Sequence, residues 1–340
     1  MSLLITGASG AIGGYIHARC RAAGWRVHAV DIMVGQGIDA LDVSDRAAFA
    51  DYIADHRINR VIHCAGRMDV AGVCDPLELV SSNVLGLTNL CSILKDNPTA
   101  QVVFMSSRGV YPWLHADRVP QALTEDHPTQ VDVERSVYDM TKVSIEMIAE
   151  RYAIQYGLTV TGLRLASTFG LGKTTEKHGH QTILVDLLHA ARAGESRHVP
   201  GADQCTDFLY YGDIWQACLR VLAAPRRDAP MRMNVSGGVR PLRDYVSALP
   251  RHFPQVNVTA GDGLDYLGTG GFGYVNLDPV LARQTVGYEA AYTPEDAFAE
   301  MDRLLRGAPH PFVHDFADLV ASARPETVDR ARQSRSAATC

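Results

Sequence analysis

Two residues four apart, Tyr138 and Lys142 in Tyr138-Asp139-Met140-Thr141-Lys142, have the types and spacing for proton transfer. On a helix, positions i and i+4 share one face. A phenol beside an ammonium can serve as a general acid/base, because the cation favours the phenolate. Upstream, an apolar run ends in Phe104-Met105-Ser106-Ser107-Arg108-Gly109-Val110-Tyr111. Serines at the C-terminal end of a strand stand where open α/β sheets bind ligands. A lone Tyr-x-x-x-Lys is common by chance and reads equally well as a tyrosine lying over an aliphatic lysine stem. A second constellation favours chemistry. Thr6-Gly7-Ala8-Ser9-Gly10-Ala11-Ile12-Gly13 follows a strand-like run and opens a helix-like one. Glycines there let the backbone turn and approach a pyrophosphate, and a helix N-terminus offers it free N–H groups. The spacing is G-x-x-G-x-x-G rather than G-x-G-x-x-G, which marks a different dinucleotide-binding lineage.

The next strand-like run ends in Asp31, at the distance where a carboxylate meets the adenosine ribose. No Arg or Lys follows it closely to accept a 2′-phosphate, so NAD is expected rather than NADP. Asp42 and Val43 precede another helix and are expected near the adenine, although Ser44 or Asp45 is an equally good helix cap. His63-Cys64-Ala65-Gly66 ends a buried strand in small residues, leaving room for a cofactor across the sheet edge; His63 itself reads as a core histidine. The seven cysteines are scattered without a C-x-x-C pair, so no metal site is expected and reduced thiols are.

The elements that must hold these groups alternate. Strands are expected at 3–6, 26–30, 60–63, 101–106 and 159–164, and helices at 13–23, 46–56, 76–94 and 137–156. This rhythm predicts a doubly wound parallel sheet covered on both faces. After about residue 169 it breaks, and 169–205 with 237–308 reads as a smaller mixed α/β substrate lobe. Residues 1–168 form the dinucleotide domain, with 206–236 returning to it, and 309–340 is an extension that is partly disordered. The 340 residues are 46% hydrophobic and 21% charged, which fits a globular chain. A net charge of −6 argues against a nucleic-acid binder. No apolar run is expected to span a membrane, and the first strand begins too early to leave room for a secretory leader, so the cytoplasm is expected.

In this order the motifs resemble the extended short-chain dehydrogenases/reductases of the NAD-dependent epimerase/dehydratase family over roughly residues 3–306. The resemblance rests on TGASGAIG, Asp31, HCAG, Asp75-Pro76 with Asn83-Val84-Leu85-Gly86, SSRGVYP, YDMTK, Arg164, Thr206-Asp207-Phe208, Asp213, Asn234-Val235-Ser236-Gly237 and Asp278-Pro279. It implies that Ser107 and Tyr138 are catalytic, with Lys142 binding the nicotinamide ribose and tuning Tyr138. Gly7, Gly10, Ala11, Ile12, Gly13, Asp31, Asp42, Val43, Cys64, Ala65, Gly66, Asn83 and Ser106 would line the NAD site with Tyr138 and Lys142. Ser107, Arg108, Tyr138 and Ser167 would meet the substrate. Arg108 and Gly109 stand where dehydratases of the family carry an acidic pair, so dehydration is disfavoured. Thr206 and Ser167 stand where nucleotide-sugar epimerases carry Arg and Asn, and Arg164–Phe169 is similar to a segment of uronate dehydrogenases. The second lobe keeps the nucleotide-sugar layout, and Arg108, Lys173, Lys177, His178, His180 or Arg197 could supply phosphate contacts. A nucleotide-sugar epimerase is therefore expected, with a free-sugar or uronate dehydrogenase, or a non-catalytic NAD-binding regulator, as alternatives. The helices at 76–94 and 137–156, with Leu77, Val80, Leu87, Ile145 and Ile148, imply a homodimer.

Overall fold

A computed structural model describes residues 2–69, 72, 74–112, 122–129, 136–172, 182–226, 231–268 and 275–324. Lys173, Lys177, His178, His180 and the tail beyond 324 lie outside the described residues. The first half alternates strands β1 Ser2–Thr6, β2 Val27–Asp31, β3 Asp39–Ala40, β4 Ile58–His63 and β5 Gln101–Ser107 with helices. The helices are α1 Ala11–Ala22, α2 Arg46–Asp55, α3 Pro76–Leu79 and α4 Gly86–Leu94, followed by the long α5 Val137–Tyr156. Short strands follow: β6 Ala122–Leu123, β7 Thr159–Leu165, β8 Ser167–Phe169, β9 Arg197–Val199, β10 Cys205–Tyr210 and β11 Arg232–Val235. The main sheet runs β11-β7-β5-β4-β1-β2-β3 and is parallel throughout. Its central strands β4 and β5 are buried along almost their whole length because helices cover both faces, with apolar centres at Val61-Ile62 and Val102-Val103-Phe104-Met105. One face packs α1 and the helix Tyr211–Ala223; the other packs α2, α4 and α5.

The remaining elements form a mixed lobe. Strand β10 is not in the main sheet: it pairs with β8 in parallel and with β12, Val239–Pro241, antiparallel. Two further two-stranded sheets pair β9 with Val258–Ala260 and β6 with Asn276–Leu277. The helices Leu242–His252 and Pro294–Leu305 pack on one another. The described part of the C-terminal extension is docked. Its helix Ala317–Ala323 lies on the helix Tyr211–Ala223, and Arg60 donates to the carbonyls of Ala323 at 2.9 Å and Leu222 at 2.8 Å.

The expected helix at 76–94 is one continuous rod with an irregular middle. Asp75 caps it, accepting from the Leu77 N–H at 2.8 Å, with Pro76 in the first turn. Residues Val80–Leu85 wind as a π-helix before α-helical geometry resumes. By length and composition alone this stretch is apolar enough to cross a membrane, a test that the core helix of a soluble protein also passes. In the fold its Asn83 and Asn89 are buried and hydrogen-bonded to the protein.

Strand β4 places His63 against β1. Thr6 Oγ1 and His63 Nδ1 are 2.8 Å apart, and burial pushes the imidazole down to about 3. The folded chain therefore keeps His63 neutral, while the unfolded chain protonates it below about pH 6.5. Stability should fall as the pH drops from about 6.5 toward 3, by up to about 1.4 kcal/mol per pH unit from this group. Urea unfolding between pH 7 and 5 checks this: His63→Asn should lose less stability over that interval than the wild type. Equal losses would place the effect elsewhere.

Candidate active site

The glycine turn has the shape a pyrophosphate needs. Gly7 adopts φ +67°, and a Cβ there would lie 2.5 Å from the Ala65 nitrogen. A Cβ on Gly13 would lie 2.1 Å from the Gly7 oxygen. The turn thus packs directly on the end of β4, and Gly10 begins α1 without a side-chain cap. The first N–H groups of α1, at Ala11, Ile12 and Gly13, are left for an anion. These residues fit a dinucleotide phosphate.

Asp31 at the end of β2 holds this turn to the following loop. Its carboxylate accepts from the Ser9 N–H at 2.9 Å and the Met33 N–H at 3.0 Å, while the Ser9 hydroxyl donates to the Met33 carbonyl at 2.6 Å. Two carboxylate oxygens have room for ribose hydroxyls beside these bonds. Asp42 is exposed and spends one oxygen on Ser44, while Asp45 caps α2. Val43 is buried against Gly86, where a Cβ would lie 2.7 Å from Val43 Cγ2. Asn89, which the sequence reading passed over, fixes this loop by donating to the carbonyls of Val43 and Ser44, both at 3.0 Å.

Tyr138 and Lys142 stand on the first turns of α5, which Ser136 caps by accepting from the Asp139 N–H at 3.1 Å. Lys142 Nζ donates to the Met105 carbonyl at 2.8 Å and lies 5.3 Å from the Tyr138 ring centre. Ser107 hydrogen-bonds Tyr138, and its oxygen also accepts from the Gly109 N–H at 3.0 Å. A Cβ on Gly109 would lie 1.9 Å from Asp139 Oδ1, so a larger residue there would have to displace that carboxylate. Asn83, in the π-helical turn, donates to Thr141 Oγ1 at 3.0 Å and clamps Arg67 through its N–H at 2.7 Å and its carbonyl at 3.0 Å. It thereby ties α5 to the loop after Cys64, Ala65 and Gly66, where a Cβ on Gly66 would come within 3.9 Å of Lys142 Nζ. A π-turn at this point puts one extra residue where the site needs an amide.

Burial dominates the electrostatics. It pushes the Tyr138 phenol up to about 12, while the Ser107 hydrogen bond and the Arg108 charge pull it down. Burial lowers Lys142 to about 8, against the raising influence of Cys64 and Glu146. Arg108, whose charge favours the Tyr138 phenolate, is itself buried in the turn after Ser107.

One expected site residue, Ser106, and one residue of the family-like motifs, Arg164, have other partners. Ser106 donates to Glu146 Oε1 at 2.5 Å, so its hydroxyl faces α5 and only its backbone is left to a cofactor. Arg164 is 1% exposed and engages Glu146 through Nε at 3.0 Å and Nη2 at 2.7 Å, and Tyr111 through Nη1 at 2.7 Å. Glu146 was not singled out from the sequence. Its signal was its place one turn past Lys142 on the same helix face. Ser167 is buried on β8 beside Phe208, and among the described residues its hydroxyl has no hydrogen-bond partner.

The profile of the family described as "NAD dependent epimerase/dehydratase family" matches residues 3–236. The chain belongs to that family. Its members are enzymes, and the family's cofactor is NAD. The chain is 27% identical over 258 residues to UDP-glucuronate 4-epimerase 1 of Arabidopsis thaliana, across 70% of this chain but only 57% of that protein. It is also 27% identical over 256 residues to UDP-glucose 4-epimerase of Corynebacterium glutamicum, covering 70% and 76%. Among solved structures, a GalE-like L-threonine dehydrogenase from Cupriavidus necator superposes with a TM-score of 0.75 at 21% identity, over 90% and 100% of the two chains. Thermus thermophilus UDP-glucose 4-epimerase complexed with NAD gives 0.70 at 21%, over 91% and 100%. At these identities the superpositions show the shared fold.

Two outcomes follow from this geometry. Glu146→Ala should cost about 3–5 kcal/mol, because it leaves the buried Arg164 charge uncompensated; chemical denaturation reads it, and a loss under ~1 kcal/mol would refute the pairing's importance. NAD should bind at least ~100-fold more tightly than NADP, about 2.7 kcal/mol, because Asp31 would face a 2′-phosphate. Asp31→Ala should remove most of that ratio in calorimetric titrations of both cofactors.

Proposed function

We propose that this enzyme oxidises a carbinol of a sugar-type substrate with bound NAD. The observation that carries the reading is the convergence of Ser107, Tyr138 and Lys142 beside the glycine turn on the end of one parallel sheet. Tyr138 takes the proton of the substrate hydroxyl, and the Ser107 hydroxyl holds the same oxygen. Arg108 opposes the cost that burial places on the phenolate. Lys142, fixed to the Met105 carbonyl, presents its remaining N–H donors toward a ribose. Bound NAD supplies the hydride acceptor and, for a ketone kept in the site, the hydride donor.

Nucleotide-sugar epimerisation is the reading that the plant and bacterial relatives support. Oxidation of a free sugar is the second reading, supported by the neutral Thr206 and Ser167 in the lobe. Turnover without added NAD marks the epimerase, and stoichiometric NADH release marks the dehydrogenase. Tyr138→Phe should lower kcat by at least ~100-fold with NAD affinity within ~3-fold of wild type. Retained activity in that variant would remove Tyr138 from the chemistry.

The same helices give the reading of assembly. Leu87 and Ile145 face the core, so they are not part of an outer surface. Leu77, Met147 and Ile154 are instead 70%, 67% and 69% exposed on the α3 and α5 side, with Val80 and Leu85 about half exposed. A second copy covering this apolar face makes a homodimer. Light scattering at micromolar concentration should give twice the 37.0 kDa chain mass, and Met147→Glu with Ile154→Glu should return it to the monomer.

A further inference from the structure

We infer that Tyr15 and Glu300 are positioning residues for the cofactor: through the hydrogen bond between them, the C-terminal extension fixes the first turns of α1, which offer their N–H groups to the NAD diphosphate. The inference rests on the NAD reading above and gives the extension a task in cofactor binding.

The start of α1 is weak by its own composition. Gly10 stands at the cap position without a side-chain hydrogen bond, Gly13 and Gly14 fall in the first turn, and that turn carries no acidic residue. Glycine is the poorest helix former after proline, and an absent cap weakens the end further. The glycines are nevertheless demanded by close approach. A Cβ on Gly13 would lie 2.1 Å from the Gly7 oxygen, and one on Gly14 would lie 3.3 Å from the Ala8 oxygen. The residues that let α1 sit on the phosphate turn are thus the ones that leave its start unsupported.

The support comes from outside the helix, at the next residue. Tyr15 is 9% exposed and donates to Glu300 Oε1 at 2.5 Å. Glu300 is fully buried on the helix Pro294–Leu305, and its position is set by three more donors. Oε1 also accepts from the Tyr210 hydroxyl at 3.1 Å, and Oε2 accepts from the Tyr292 hydroxyl at 2.6 Å and the Val313 N–H at 2.7 Å. Tyr292 is itself held flush, since a Cβ on Gly212 would lie 2.1 Å from its ring. A buried carboxylate saturated from four segments has one place to sit, and it carries Tyr15 with it.

The extension completes the anchor with three consecutive residues. Arg19 lies one turn past Tyr15 on the same face of α1. The Phe312 ring meets the Tyr15 ring edge-on at 5.9 Å and lies 4.0 Å from the Arg19 guanidinium. Val313 donates to Glu300, and the His314 carbonyl accepts from Arg19 at 2.6 Å. A shift of α1 along its axis would break these bonds and re-aim the N–H groups of Ala11, Ile12 and Gly13. Donors held in place before the ligand arrives bind it without an ordering cost, so the anchor acts on affinity for the diphosphate.

The test uses the full-length chain and three probes, NAD, ADP-ribose and adenosine, the last without phosphate. Affinities are read by calorimetric titration, with adenosine in competition against ADP-ribose, at a temperature where circular dichroism shows each variant folded. Tyr15→Phe keeps the ring and removes the bond; it should weaken NAD and ADP-ribose about ten-fold and adenosine less than about two-fold. Glu300→Ala should do at least as much, and the double variant no more than Glu300→Ala alone, because both changes delete one path. Tyr288→Phe is the matched control: it removes another buried hydroxyl, the one that donates to the Ser236 carbonyl at 2.8 Å, and should leave all three affinities unchanged. Should Glu300→Ala not fold, Tyr15→Phe decides alone. NAD binding to Tyr15→Phe as it binds to wild type would overturn the inference and leave the NAD reading standing. Equal losses for adenosine and NAD, or the same loss in Tyr288→Phe, would show general loosening and overturn it as well. A wild type that binds neither NAD nor ADP-ribose would overturn both.

Discussion

The ion pair between Glu146 and Arg164 sets the register of the active site. Both side chains are almost fully buried, and three hydrogen bonds of 2.7–3.2 Å join them. Two charges in that position are tolerable only because each is saturated with partners. Glu146 also accepts from Ser106, and Arg164 also reaches Tyr111 and the Glu125 carbonyl at 3.3 Å. Through these bonds α5, β5, β7 and the segment after β6 are locked together at one depth. One turn along α5 from Glu146 stands Lys142, and next to Ser106 stands Ser107. Rotation or sliding of α5 would break the pair before it misplaced Tyr138.

The lock continues into the lobe. Tyr111 donates to Asn234 Oδ1 at 2.9 Å, and the Asn234 N–H donates to Glu125 Oε1 at 2.6 Å. Asn234 in turn donates to the carbonyls of Leu123 and Asp278, joining β11 to the small sheet of the lobe. Buried polar chains of this kind hold a geometry more tightly than apolar contacts do, because a half-broken chain leaves orphaned groups. The same low-dielectric surroundings raise Tyr138 and lower Lys142, so rigidity and altered proton affinity share one cause.

A second buried carboxylate fastens the C-terminal extension. Glu300 accepts from the hydroxyls of Tyr15 at 2.5 Å, Tyr292 at 2.6 Å and Tyr210 at 3.1 Å, and from the Val313 N–H at 2.7 Å. Arg19 stacks on Phe312 at 4.0 Å and donates to the His314 carbonyl at 2.6 Å. Helix α1, whose first turn follows the glycine turn, is therefore held along its length by residues nearly three hundred positions away.

The sequence by itself determined the parallel sheet, the glycine turn, Asp31 and the Tyr138–Lys142 spacing. Each of these is written in local signals: apolar runs of strand length, glycines at fixed spacing, and two positions four apart on a helix. The same locality gave α5 its bounds, Val137–Tyr156, since Ser136 caps one end and Gly157, at φ +69°, closes the other. What only the tertiary structure decided were partnerships between distant residues. Ser106 turned to Glu146 rather than to a cofactor, Arg164 to the same carboxylate, Arg108 toward Tyr138 and the lobe, and β10 left the main sheet for β8 and β12. The π-turn at Asn83 was also beyond a periodicity argument, because one extra residue in a turn leaves the apolar pattern almost unchanged. A buried charge can be recognised in sequence only as a charged letter; which opposite charge or hydroxyl satisfies it depends on which strands and helices come to lie side by side.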